Sequence, residues 1–173
     1  MMSGKILYAV HEGTYVLKLV GDVRVTLCAT LDRFIEGMFC DISMNSVLID
    51  LTEASGIDST ALGLLAKIAV HTQRRFKNRP TIISTNPSIS MLLNTMGFDQ
   101  VFNILNSETQ NCAELNELPE VVSNERDVCC KVLDAHRTLM QLNKQNESTF
   151  KNVVAALEME ASIQDKKVGS GSK

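Results

Sequence analysis

The sequence predicts an α/β fold: a mixed sheet of four or five strands with helices packed on it, followed by a C-terminal helical extension. Three observations carry that prediction. Short runs of branched apolar residues alternate with longer segments whose apolar residues recur at three and four positions. Helix start and stop residues fall between them. After Leu105 the pattern changes to a polar connector and then a helical seam without Gly or Pro.

Residues 5–10 and 14–20 read as strands, and His11-Glu12-Gly13 between them as a hairpin loop. In the second run Tyr15, Leu17 and Leu19 make one apolar face, while Val16, Lys18 and Val20 make a mixed one; Gly21-Asp22 is expected to end it. From about residue 25 to 39, Leu27, Leu31, Phe34, Ile35 and Met38 give an amphipathic helix. Val47-Leu48-Ile49-Asp50-Leu51 suits a buried strand, with a small-residue loop over 52–57. Asp58-Ser59-Thr60 then opens a helix, with Asp58 or Ser59 as the cap, because their side-chain oxygens accept from the free N–H groups of the first turn. Leu62, Leu65, Ala66, Ala69 and Thr72 form its buried stripe, and Asn78-Arg79-Pro80 ends it.

Residues 81–85 are a further short strand. Asn86-Pro87 is a cap followed by Pro at the first helical position, and Ile89, Leu92, Leu93 and Met96 supply that helix's apolar face. Gly97 fits the left-handed position past a helix end, and residues 98–105 supply a last short strand or a packed turn. The order β-β-α-β-α-β-α, with a last β if 98–105 is a strand, implies crossover connections and at least partly parallel pairing.

Beyond Leu105 the expected organisation is a linker over 108–122, a helical extension over 123–165 and a disordered tail over 166–173. Val128, Val132, Ala135, Leu139 and Leu142 recur at spacings of four, three, four and three. Phe150, Val153, Val154, Leu157 and Ala161 resume on a shifted stripe after polar residues 143–149. Two antiparallel helices and one long helix both fit, as do packing on the domain and a dimer or partner surface.

Composition narrows the function. The 173 residues are long enough for a core without disulfides or metal. A net charge of -3 argues against nucleic acid as the main partner. The basic run Arg74-Arg75-Phe76-Lys77-Asn78-Arg79 falls where cations complement a helix dipole. The five cysteines, Cys28, Cys40, Cys112, Cys129 and Cys130, are odd in number and irregularly spaced, which supports neither a disulfide framework nor a metal site. With no signal peptide and no spanning segment visible, the expectation is a cytoplasmic protein without membrane insertion.

Enzymatic chemistry finds little support. Ser59 lacks the G-x-S-x-G elbow. His71, twelve residues further along the same helix, lies roughly 18 Å away at the helical rise, and His11 and His136 have no acid motif beside them. Neither G-x-G-x-x-G nor a P-loop is present, and no His/Cys/carboxylate cluster suggests a metal. The expectation is a non-enzyme without cofactor, whose Ser59 hydroxyl is either a structural cap or a substrate for another enzyme.

Val47-Leu48-Ile49-Asp50-Leu51, followed by Ile57-Asp58-Ser59-Thr60 and Leu62-Gly63-Leu64-Leu65, resembles the signature of the STAS domain. The likeness continues through Thr81-Ile82-Ile83, Leu92-Leu93-Asn94-Thr95-Met96-Gly97-Phe98 and Val101-Phe102, and spans roughly residues 5–106, so residues 1–107 are assigned to that domain. The resemblance implies an anti-sigma factor antagonist in a bacterial partner-switching pathway. In that type the serine after the aspartate is phosphorylated, which makes Ser59 the acceptor here and Thr60 the secondary candidate. It also implies a partner surface of Asp22, Ala54, Gly56, Ile57, Asp58, Ser59, Thr60 and Gly63.

The implied partners are an anti-sigma factor or Ser kinase, which binds the unphosphorylated form, and a PP2C-type phosphatase, including forms fused to a response regulator. A homodimer through the C-terminal helices is a further expectation. The alternative is a non-switching adaptor that binds through those helices. Two departures stand out: Ala61 occupies a position where the family often has Gly, and the tail beyond Leu105 exceeds the minimal domain.

Overall fold

A computed structural model of the chain describes residues 3–108 and 114–169. Strands β1 (Lys5–His11) and β2 (Thr14–Val23) form an antiparallel hairpin in register from Lys5↔Val20 to His11↔Thr14. Strand β3 (Ser46–Asp50) lies parallel to β2, β5 (Thr81–Ile83) parallel to β3, and β6 (Asn103–Leu105) parallel to β5. Strand β4 (Ala54–Ile57) pairs with the end of β2, and β7 (Asn116–Glu117) pairs antiparallel with β1. The order is β6-β5-β3-β2-β1-β7, with β4 beside β2.

The mixed sheet with helices is therefore as expected, but larger. Gly21-Asp22 does not end β2. The register shifts there, and the strand passes from β3, which it meets over residues 14–18, to β4, which it meets from Gly21. Such a bulge lets one strand serve two neighbours. Strand β4 lies in the stretch expected to be a loop, and β7 in the expected linker. Strands this short carry no periodicity of their own; they exist because β2 and β1 offer free edges, as when Leu118 donates its N–H to the Ile6 carbonyl at 2.9 Å.

A short 3-10 turn (Val25–Leu27) leads into α1 (Cys28–Cys40). Helix α2 (Ser59–Phe76) ends at Lys77, which adopts the left-handed conformation. The basic run behaves as a helix terminus: Arg75 reaches the Phe39 and Ile42 carbonyls at 3.3 Å, and Arg79 the Asp99 carbonyl at 3.4 Å. Asn86 caps α3 (Pro87–Thr95) by accepting from the Ser88 N–H, and Gly97 follows with φ 75. Residues 98–105 supply both a 3-10 turn (Phe98–Gln100) and β6.

The extension is two antiparallel helices, α4 (Glu125–Leu142) and α5 (Lys144–Gly169), tied by Arg126–Asp165 and Arg137–Glu158 ion pairs. Asn143 breaks them apart: its backbone is extended and its side chain caps α5 by accepting from the Asn146 N–H at 2.8 Å. Helix α5 runs to Gly169, past the expected start of a disordered tail at 166. Lys166 and Lys167 occupy its last turn, where cations are favourable. Residues 170–173 lie outside the described residues.

The hairpin is a layer of the domain rather than an appendage. Ala135, Leu139 and Phe150 join the same core cluster as Leu17, Ile49, Leu64 and Ile68. The covered face of α4 is rotated from the seam read in the sequence: Cys129, Leu133 and His136 are buried beside Ala135 and Leu139, while Val128, Val132 and Leu142 are half-buried. Buried Asp32 on α1 takes Lys67 of α2 at 2.9 Å and Lys131 of α4 at 2.6 Å, linking three helices. At the other end buried Asn146 donates to the Met96 and Leu139 carbonyls.

Candidate functional site

Helix α2 is anchored by Asp58, not by Ser59. The Asp58 backbone is extended, one carboxylate oxygen accepts from the Ala61 N–H at 2.9 Å, and the other accepts from the Val25 N–H at 2.6 Å. The Asp58 N–H donates to the Val23 carbonyl at 3.1 Å. A single aspartate thus ties the helix start to the end of β2 and the turn before α1. Ser59 becomes the first helical residue, and its hydroxyl is not spent on capping.

Parallel pairing of β4 with the end of β2 brings Asp22 beside Gly56. A Cβ on Gly56 would lie 2.5 Å from an Asp22 carboxylate oxygen, so the absent side chain is what admits Asp22. Arg24 holds both Asp22 oxygens, at 2.8 and 2.9 Å from its Nε. The sheet end therefore collects Asp22, Gly56, Asp58 and Ser59, all partly accessible. The remaining expected partner residues lie underneath: Ala54, Ile57 and Thr60 are 4%, 8% and 5% exposed, and Gly63 is buried as well. Their small or branched side chains fill the joint between β4 and α2 and do not reach a partner in this conformation. Burial also weighs against Thr60 as an acceptor.

Gly63 faces the chain's own hairpin. A Cβ there would collide with the Ala135 carbonyl, so Gly63 sets how closely α2 and α4 approach. One turn back along α2, Ser59 Oγ lies 2.9 Å from His136 Nε2. The other ring nitrogen, Nδ1, lies 2.7 Å from the Val132 carbonyl. A carbonyl only accepts, so Nδ1 carries a proton, and in the neutral ring Nε2 is the atom that accepts from the Ser59 hydroxyl. The imidazole is 5% exposed and meets Phe150 edge to face at 5.4 Å.

Sequence reasoning missed this pair because it asked for an acid motif near His136. The available signal was different: His136 adjoins Ala135 in the apolar seam of α4, and Gly63 sits one turn after Ser59, where a second helix can come close. His71 does not approach Ser59; it stacks on Phe39 at 3.7 Å. A hydroxyl donating to a neutral imidazole is also the start of a nucleophile-base pair. Here a main-chain carbonyl orients the ring and the ring is buried between helices, so the arrangement acts as a helix-to-helix hydrogen bond. Among the described residues, no group of three His, Cys, Asp or Glu is placed to hold a metal, and no helix is long and apolar enough to cross a membrane.

Solved structures share this architecture. The anti-sigma factor antagonist SpoIIAA in its unphosphorylated form matches at 15% identity and TM-score 0.50, over 59% of this chain and 87% of SpoIIAA. An anti-sigma factor antagonist from Mycobacterium paratuberculosis matches at 20% identity and TM-score 0.51, over 61% and 87% of the two chains. A candidate antagonist from Thermotoga maritima matches at 16% identity and TM-score 0.52, over 58% and 85%. At these identities the likeness establishes the fold. A comparison with curated proteins finds no match. The STAS domain family model matches residues 5–111, from the first strand past β6 and into the expected linker. With most of its length matched and the sheet, the capped α2 and the left-handed Gly97 in place, this chain belongs to the STAS domain family.

Proposed function

We propose that this protein is an anti-sigma factor antagonist, a binding module whose partner contacts are switched by phosphorylation of Ser59. One observation carries the reading: Asp58 is the side-chain cap of α2, so the Ser59 hydroxyl at its first position is not needed for the helix start and has His136 Nε2 as its neighbour instead. In the transfer, Ser59 Oγ forms a bond to the γ-phosphorus of a nucleoside triphosphate, the nucleoside diphosphate leaves, and the hydroxyl proton passes to the kinase's base. The product phosphate would stand at a helix N-terminus, where free N–H groups and the dipole favour an anion.

The domain then stays folded, and the effect falls on the partner surface around Asp22, Gly56 and Asp58. The phosphate's ~1.5 to 2 negative charges beside the two carboxylates weaken binding there by repulsion and desolvation. The unphosphorylated form binds an anti-sigma factor or Ser kinase, and a PP2C-type phosphatase, free or fused to a response regulator, restores it. The test is mass spectrometry of the protein from its native cells, followed by binding of Ser59→Ala and Ser59→Asp chains to a candidate partner. We expect phosphate on Ser59 and weaker binding by Ser59→Asp; equal affinities remove the switch.

A second reading, a non-switching adaptor or a homodimer through the C-terminal helices, is favoured by one specific observation. The outer side of α5 exposes Val153, Met159 and Ile163 at 43%, 68% and 53%. It predicts that Met159→Glu with Ile163→Glu abolishes partner binding or self-association, while Ser59→Ala leaves both intact.

A further inference from the structure

The Ser59 face is already occupied by the chain itself. Helix α4 lays His136 against the Ser59 hydroxyl and Ala135 against Gly63, so a residue of the extension sits within hydrogen-bond distance of the proposed acceptor. We propose that the α4–α5 hairpin is a resident cover of this face, latched by the Ser59–His136 hydrogen bond, and that a kinase or binding partner engages Ser59 only when the hairpin unseats. This rests on the reading of Ser59 as acceptor.

Two features make the cover restrictive. A kinase must surround the acceptor oxygen and align a nucleoside triphosphate with it, and α4 fills part of that space at 2.9 Å. With the ring neutral, the seated hydroxyl also donates its hydrogen bond to His136 Nε2, which directs it toward α4 instead of toward a base on the kinase.

Two further features let the hairpin move as a unit. Its helices hold each other through Arg126–Asp165 and Arg137–Glu158. Its apolar ties are Ala135, Leu139 and Phe150 in the core, and its other ties to the rest of the domain are polar, among them Lys131 to Asp32, Lys67 to Asp134, and Asn146 to the Met96 carbonyl. Parts of a domain with their own internal contacts open at lower free energy than the whole. Seating and partner binding at the same face are then coupled, each opposing the other.

The test uses the full chain carrying Ser59→Cys, alone and combined with Ala135→Glu, which wedges α4 from Gly63, or with Lys131→Glu, which replaces the Asp32 ion pair by repulsion and leaves Gly63 and Ala135 unchanged. Alkylation by iodoacetamide is followed by peptide mapping, which separates the new thiol from Cys28, Cys40, Cys112, Cys129 and Cys130. Amide exchange reports the seating of α4 and the integrity of β1 to β3. Should Ala135→Glu fail to fold, Lys131→Glu carries the test. We expect alkylation at position 59 to rise on the order of 10-fold when α4 opens, with the sheet still protected. Equal labelling with α4 open, or an α4 that neither substitution opens, overturns the cover.

In a second arm, wild-type and Lys131→Glu chains receive a cell extract and nucleoside triphosphate. Faster phosphorylation of Ser59 in Lys131→Glu supports the cover, and equal rates overturn it. No phosphate on Ser59 in either chain, with alkylation still gated, overturns the acceptor reading and leaves the cover standing.

Discussion

At the scale of single residues, three adjacent side chains that look alike on paper do different work. Asp58 caps α2 and also satisfies the Val25 N–H, Ser59 reaches across to His136, and Thr60 is buried beneath the helix start. The difference follows from helical geometry: the residue just before the helix points its oxygen back at the free N–H groups, and the next two turn away. Asp58→Ala should therefore cost about 1–2 kcal/mol of stability, measured by chemical denaturation, while Asp58→Asn should retain most of the cap. Ser59→Ala should cost about 1–3 kcal/mol, because it leaves the buried His136 Nε2 without its partner. Loss of amide protection in the first turn of α2 in Ser59→Ala but not in Asp58→Ala would contradict this division of roles.

At the scale of elements, the decisive contact is the crossing of α2 and α4. Gly63 permits it by having no side chain, and Ala135, fully buried, is the residue it meets. Interiors are packed too closely to take up extra methyl groups without displacement. Gly63→Val should lower stability by about 1–3 kcal/mol and raise amide exchange in α4 and α5 well before that of the sheet. If exchange rises uniformly across the chain instead, the hairpin is not a separable layer. The helices themselves were legible in the sequence, because apolar spacing and caps such as Asn86-Pro87 are local. The face that α4 buries was not: a seam of alternating spacings is compatible with several rotations, and the sheet and α2 select among them.

At the scale of the whole molecule, three helices meet at the buried carboxylate of Asp32. Burial alone pushes its pKa up, but the hydrogen bonds from Lys131 and Lys67 outweigh burial and hold it below the usual carboxylate value. The sign follows: a group with a depressed folded pKa contributes stability in full above its unfolded value, near 4, and loses it as pH falls through the folded value. Asp41, held low first by the Tyr15 hydroxyl and then by Ser43, acts in the same direction. Thermal denaturation should show stability falling as pH drops from about 4 downward, with a shallower fall in Asp32→Asn. That variant should also lose about 1.5–3 kcal/mol near neutral pH through its weakened bonds to the two lysines. An identical acid profile in Asp32→Asn would show that the cluster does not govern the hairpin's seating.

Local residue patterns account for most of the architecture: the hairpin, the buried β3, the capped start of α2, Asn86-Pro87, the turn at Gly97, and a family signature strong enough to suggest the domain. Each of these depends on residues within a turn or two of one another, where periodicity and capping decide. Long-range packing sets the rest: β2 serves two neighbours, the linker adds a strand, Lys18 is buried between Asp50 and Glu53, and His136 meets Ser59. The Ser59–His136 contact joins residues 77 positions apart. Its existence depends on the rotation and crossing of two helices, set by the summed packing of Gly63, Ala135, Leu139 and Phe150, and no local pattern records that sum.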